Sequence, residues 1–188
     1  MNVVCLDAGF VNLGWVVAEV TKRSEPKVID CGVSQAPQLS PKERKRRGLS
    51  AAHNNIARIE KQVDHVMKLH ENYFPSAYFI EVPHGGAKGA LAIRAMAYAT
   101  AMLAAALRVL CGKECPVVYI LPSEVKELVG GKTTASKEEL ASKVRNFWPD
   151  IDWNSAGSKS DNMTDAGAVC LAMRYHPTFK ALMAACGA

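Results

Sequence analysis

The stretch NVVCLDAGFVNLGWVVAEV, residues 2–20, limits the fold more than any other. Two apolar, β-branched runs flank a short segment that carries Gly9 and Asn12, the pattern of two strands joined by a tight connection. Val3, Val4, Cys5 and Leu6 have the character of core residues. Asp7 then sets a formal charge where the sheet should still be buried. A buried carboxylate is costly unless it is hydrogen-bonded, paired or neutralised by a cation. Either the turn satisfies Asp7 locally, or the strand end is built for chemistry.

Apolar runs and Gly/Asn/Pro punctuation predict strands over 2–8, 12–20 and 27–34, and the short connections predict an antiparallel meander. A loop that turns basic follows. A long helix is expected to begin near Pro41 or Ser50 and to run to about Glu71, with Ile56, Ile59, Val63, Val66 and Met67 as its apolar face. Residues 76–83 read as a short buried strand ending in Glu81. The helix at about 87–111 is small and apolar on all sides, which predicts a central position. Arg94 and Arg108 within it favour a buried helix over a membrane span.

Residues 115–122 form the next expected strand, followed by a short helix stopped by Gly130 and Gly131. The segment SKEELASKVRNFW predicts a helix with Ser136 as N-cap and Glu139 completing a capping box. A polar loop at 150–160 leads to a last amphipathic helix through His176. The order β-β-β-α-β-α-β-α-α-α describes one α/β domain over residues 1–188 with a mixed sheet. The six cysteines are scattered and lack zinc-finger spacing, which suits buried free thiols. The net charge of +5 leans toward an anionic partner such as nucleic acid. No secretory signal pattern is visible, so a cytoplasmic protein with no membrane association is expected.

The acidic residues carry the chemistry. Asp7 and Glu81 each end an apolar strand, and Asp161 and Asp165 lie four apart at the start of the last helix, hence on one face. Singly, each has a plain structural role, such as a turn acceptor, a lysine partner or a helix cap. Adjacent strands can hold Asp7 and Glu81 side by side, and a helix packed on the sheet can bring its first turn to the same edge. Carboxylates gathered so closely raise one another's pKa unless a cation neutralises them. Magnesium prefers such oxygen ligands, and two ions about 4 Å apart can activate a water for phosphodiester cleavage.

Four segments then resemble the RuvC-type Holliday junction resolvases. They are CLDAGFVNLGWVV, FIEVPHGGAKGALAIRAMAYATAMLAAAL, LPSEVKELVGGKTTASKEELASKV and TDAGAVCLAMRYH, in the family's order over about residues 3–176. The resemblance implies an RNase H-like fold with a mixed five-stranded sheet flanked by helices. It also implies a homodimer and magnesium-dependent nicking of branched DNA, with manganese as a substitute ion. Asp7, Glu81 and Asp165 match three of the family's four acidic positions. The fourth falls on Asn162, with Asp161 one residue earlier. Asp161 is the expected fourth ligand, and Asn162, through its amide oxygen, the alternative.

Lys126 and Lys137 match the family's lysines. Lys137, on the capped helix, is the expected catalytic one, and Lys132 is a candidate backbone contact. His84 stands where the family often carries an aromatic residue, which implies a stacking role at the junction. In KERKRR, positive charge at a helix N-terminus would oppose the macrodipole, so Arg44, Lys45, Arg46 and Arg47 are expected to contact phosphate. The D-x-G start also resembles the phosphate turn of the actin, Hsp70 and sugar-kinase group. Those proteins need two such domains and this chain has room for one, so no nucleotide cofactor is expected. A broader nuclease for forks and flaps, and a non-catalytic branched-DNA binding module, stand as alternatives to a strict resolvase.

Overall fold

The computed structural model describes residues 1–22, 24–82, 89–112 and 115–185. Its centre is a five-stranded sheet in the order β3-β2-β1-β4-β5. Strands β1 (Asn2–Asp7), β2 (Asn12–Thr21) and β3 (Ser24–Gln35) form the expected antiparallel meander. Strands β4 (Ala77–Glu81) and β5 (Val117–Ile120) add on in parallel to β1. With β1 in the middle, Val3 to Leu6 are buried on both faces, which is why that run is continuously apolar.

Helices cover both faces. Helix α2 (Ala51–Tyr73) and helix α3 (Ala90–Cys111) enclose the core of Val4, Leu6, Tyr78 and Ile80. Helix α5 (Lys137–Phe147) and helix α6 (Ser160–Met173) enclose the core of Val3, Cys5, Ala77 and Phe79. Side chains alternate along a strand. Asp7 and Glu81 therefore follow Cys5 and Phe79 onto the α6 face, and the parallel register pairs Asp7 with Glu81 directly.

Several expectations need correction. The long helix takes the second of its two expected starts, α2 being capped by Ser50 and His53, while Pro41 opens a separate short helix, α1 (Pro41–Arg46), capped by Ser40 and Glu43. The basic residues Arg44, Lys45 and Arg46 thus lie in the last turn of α1, where the macrodipole favours positive charge, not at a helix N-terminus. Helix α2 buries Asn54, Gln62, Val66 and Leu69, whereas Ile56 and Met67 are exposed. Helix α3 is not central: Ala99, Met102, Leu103 and Leu107 are buried, but Ile93 and Val109 are open to solvent. By length and composition Ile93–Cys111 could cross a membrane, yet only 22 % of it is buried within the fold.

The short helix after β5 is α4 (Pro122–Val125), continued by a wider turn over Lys126–Gly130. A further helix, α7 (Pro177–Ala185), packs Phe179 against Phe79 and was not expected. The five described cysteines are free.

Candidate active site

Four distant segments, β1 with the turn after it, β4, α5 and α6, converge at one end of the sheet. A cavity of about 500 Å3 is lined by Asp7 and the turn after it (Ala8, Gly9, Phe10, Val11), by Glu81, and by Lys137, Asn162 and Asp165. Arg58, Ala95 and Met96 close its outer side.

Local structure explains each position. Beyond Asp7 the chain turns sharply: Gly9 N–H donates to the Asp7 carbonyl at 2.9 Å, and Ala8 N–H donates to the Glu81 carbonyl at 3.3 Å. Gly9 is required because a Cβ there would stand 1.9 Å from the Asn12 carbonyl oxygen. Gly14, opposite Asp7 on β2, has the larger consequence. A Cβ at Gly14 would lie 1.9 Å from the carbonyl oxygen of Asn162 and 2.5 Å from its carbon. The missing side chain lets the first turn of α6 rest on the sheet, which brings Asn162 and Asp165 beside Asp7. Gln62, fully buried, donates its amide to the carbonyls of Val11 and Ser34, both at 3.2 Å, and so holds the turn from the other face.

The electrostatics follow from this crowding. Burial, then the charges of Asp165 and Glu81, push the Asp7 carboxyl up to about 8, with Lys137 offsetting part of the rise. Burial and the charge of Asp165 push Glu81 up to about 7, against the pull of Lys137 and Lys126. Lys137 Nζ donates to Asp165 Oδ2 at 2.6 Å. Partial burial lowers the Lys137 pKa, but that bond and the charges of Asp165, Asp7 and Glu81 outweigh it, and the net shift is upward. The site carries more negative charge than its own lysine balances.

The donor set, two aspartates, a glutamate and a carboxamide, is all oxygen and fits a hard divalent ion. Among the described residues no three His, Cys, Asp or Glu side chains stand close enough together to hold a metal ion as they are placed. Asp7, Glu81 and Asp165 nonetheless line one cavity and act on one another's charge, and Lys137 bonds to Asp165 there.

The structure brings together Asp7, Glu81, Asp165 and Lys137, with Lys126 near enough for its charge to act on Glu81. Asp161 is exposed and does not line the cavity, whereas Asn162 does. Both share a helix face with Asp165, but the cavity lies on the Asn162 side. The Asn162 amide nitrogen donates to the Lys159 carbonyl at 3.3 Å, so the amide oxygen is not the atom engaged in that bond. Lys132 stands apart, in an exposed ion pair with Glu139 at 2.9 Å. Arg44 lines a neighbouring cleft, while Lys45, Arg46 and Arg47 are exposed. His84 lies outside the described residues.

Arg58 and Phe10 were missed by sequence reasoning. The signal was the stripe Asn54, Arg58, Gln62, Val66, in steps of four on α2, which extends the buried face in polar residues toward the site.

Neither a protein-family model nor a curated protein matches the sequence. Solved structures match over nearly the whole chain. Thermus thermophilus RuvC is 23 % identical with a TM-score of 0.68, the match covering 98 % of this chain and 97 % of that one. T. thermophilus RuvC in complex with Holliday junction substrate gives 22 % and 0.69, covering 98 % and 96 %. The yeast mitochondrial Holliday junction resolvase Ydc2 gives 15 % and 0.62, covering 98 % of this chain and 82 % of that one. The fold is of the RNase H-like class. Within that class it is the RuvC arrangement, a five-stranded mixed sheet flanked by helices.

Proposed function

We propose that this protein is a magnesium-dependent endonuclease that resolves four-way DNA junctions by paired nicks. The observation that carries the reading is the convergence of Asp7, Glu81 and Asp165 on one cavity, with Asp7 and Glu81 in register on adjacent strands. It is supported by the likeness in fold to RuvC solved with its Holliday junction substrate.

Asp7, Glu81 and Asp165 would hold the ion, with the Asn162 amide oxygen as a neutral fourth donor. When bound, divalent magnesium supplies activation of water and neutralisation of charge at the phosphate. The chain's own residues do the rest. The buried sheet edge keeps Asp7 and Glu81 rigid, and Gly14 and Gln62 hold the α6 turn and the 8–11 turn against them. Lys137, exposed at the cavity mouth and tied to Asp165, is placed to meet charge developing on the phosphate oxygens. Lys126 adds positive potential beside Glu81.

Paired nicks need two sites related by a two-fold axis. The surface best suited to a second copy is the groove between α2 and α3, lined by Ile59, Val63, Met67, Met102, Ala105, Ala106, Val109 and Leu110. It has almost no polar lining, and Val109 is 83 % exposed.

The test is cleavage of an end-labelled synthetic four-way junction beside a linear duplex of the same sequence, with and without magnesium. Magnesium-dependent, symmetric nicks in the junction and an intact duplex are expected. Binding to the junction with no nicking at any magnesium concentration would reduce the protein to a branched-DNA binding module. Equal cutting of forks, flaps and junctions would make it a broad structure-selective nuclease.

A further inference from the structure

Beside the carboxylate cavity, and sharing Phe10, Arg58 and Ala95 with it, lies a second cleft of about 630 Å3 between α2 and the first turns of α3. That volume is within the range of about 300–1,000 Å3 usual for small-ligand sites. Its walls carry Arg44, Arg58 and Arg94, and Phe10 and Tyr98 supply aromatic surface. Among the described residues no carboxylate lines it, and none stands in ion-pair contact with any of these three arginines.

The cleft is built, not incidental. Arg58 Nε donates to the Pro37 carbonyl at 3.1 Å and Nη1 to Asn55 Oδ1 at 3.4 Å. Its guanidinium lies 5.6 Å from the centre of the Phe10 ring, a cation–π contact. Phe10 in turn props Tyr98, with ring centroids 5.8 Å apart and planes tilted by 46°. Tyr98 keeps 38 % of its surface open. Arg94 lies four residues before Tyr98, on the same face of α3. Burial, then the charge of Arg44, lowers the proton affinity of Arg58.

A ligand for this surface needs a planar π-face and more than one negative charge. The shared wall places it next to whatever phosphate enters the carboxylate cavity. We propose that the cleft holds one unstacked nucleotide of the substrate strand beside the scissile phosphate, its base on the open face of Tyr98 and its phosphates among Arg44, Arg58 and Arg94. The proposal rests on the phosphodiester-cleaving reading of the adjoining cavity. An unpaired base is required because only a base out of the stack offers its face to a side chain. The cleft would thereby select strands that are already unpaired at a branch point.

The experiment uses the full chain carrying Asp7→Asn, which binds without cutting, and junctions with 2-aminopurine walked along the strand on either side of the crossover. A fluorescence change at one position only is expected, and adding Tyr98→Ala should abolish that change. Arg44→Gln, Arg94→Gln and Arg58→Gln should each lower the slope of log affinity against log salt by about 0.7, the value for one single-strand phosphate contact. In the cutting-competent chain, Tyr98→Ala should slow cleavage about 10-fold, but not on a junction abasic at the reporting position.

Fluorescence changes of equal size at all positions, or unchanged salt slopes in the exposed Arg94→Gln variant and the Arg44→Gln variant alike, would overturn the proposal. Displacement by a free nucleoside monophosphate without any dependence on strand position would overturn it too. A chain that gives the binding signals but never cuts removes the nuclease reading and leaves the cleft standing. A chain that cuts junctions while its Tyr98 and arginine variants match wild type removes the cleft alone.

Discussion

Helices α3 and α6 are both rich in alanine and other small or apolar residues, and they lie on opposite faces of the same sheet. Eleven of the fourteen residues of α6 are buried, whereas only 22 % of the apolar stretch of α3 is. The difference is what lies outside each helix. Helix α6 is sandwiched between the sheet and α5 so closely that a Cβ on Gly167 would stand 2.7 Å from Val144 and 2.9 Å from Trp153. Helix α3 spends one face on the sheet and one on α2, and the groove it forms with α2 remains apolar and open. The same composition thus builds a closely packed support beneath the carboxylates on one face and an open apolar groove on the other.

Substitutions should divide along that line. On the α6 face, Asp165→Asn should cut junction cleavage on the order of 10³-fold with the thermal midpoint preserved, as followed in single-turnover assays. Lys137→Ala should lower kcat about 10²-fold and leave junction affinity nearly unchanged. Gly14→Ala forces α6 off the sheet. It should lose about 1–3 kcal/mol in urea denaturation, and cleavage with it. On the α3 face, Met67→Asp with Val109→Asp should shift monomer stability by less than about 0.5 kcal/mol. The same pair should convert a dimer to a monomer in sedimentation and replace paired cuts by single nicks. Asp161→Ala should be the mildest, with cleavage within about twofold of wild type. A loss as large as that of an Asn162→Ala variant would return Asp161 to the site.

The sheet was legible because continuous apolar runs and turn chemistry are local properties. Val3 to Leu6, the Gly9 turn and the strand-end Glu81 could be placed from sequence, and so could the capping box at Ser136. Helix orientation was less legible. On α2 the apolar residues Ile56 and Met67 face outward, while the buried Gln62 donates to two backbone carbonyls and the buried Asn54 accepts from the Leu39 N–H. A hydrophobic pattern reports which residues prefer burial, not which element arrives to bury them. The choice between Asp161 and Asn162 hung on a rotation of one residue, fixed by the contact of α6 with Gly14 across the fold. The stripe on α2 marked the face of Arg58 but not its contacts, because its partners, Phe10 and Pro37, lie far away in sequence.

The central claim is that Asp7, Glu81 and Asp165 form one site whose negative charge demands a divalent cation. Asp7 and Glu81 titrate near 8 and 7 in the fold, against about 4 in an unfolded chain. The folded state therefore binds more protons between those limits, and without metal its stability must fall as pH rises from about 4 to about 8. The direct measurement is the thermal midpoint from pH 5 to pH 9, with EDTA and with magnesium, for wild type and Asp7→Asn. The account predicts a wild-type midpoint that falls with pH in EDTA and recovers with magnesium at the alkaline end. It predicts a flatter profile with little magnesium response in Asp7→Asn. Superimposable wild-type profiles with and without magnesium, or an equal magnesium response in Asp7→Asn, would contradict it.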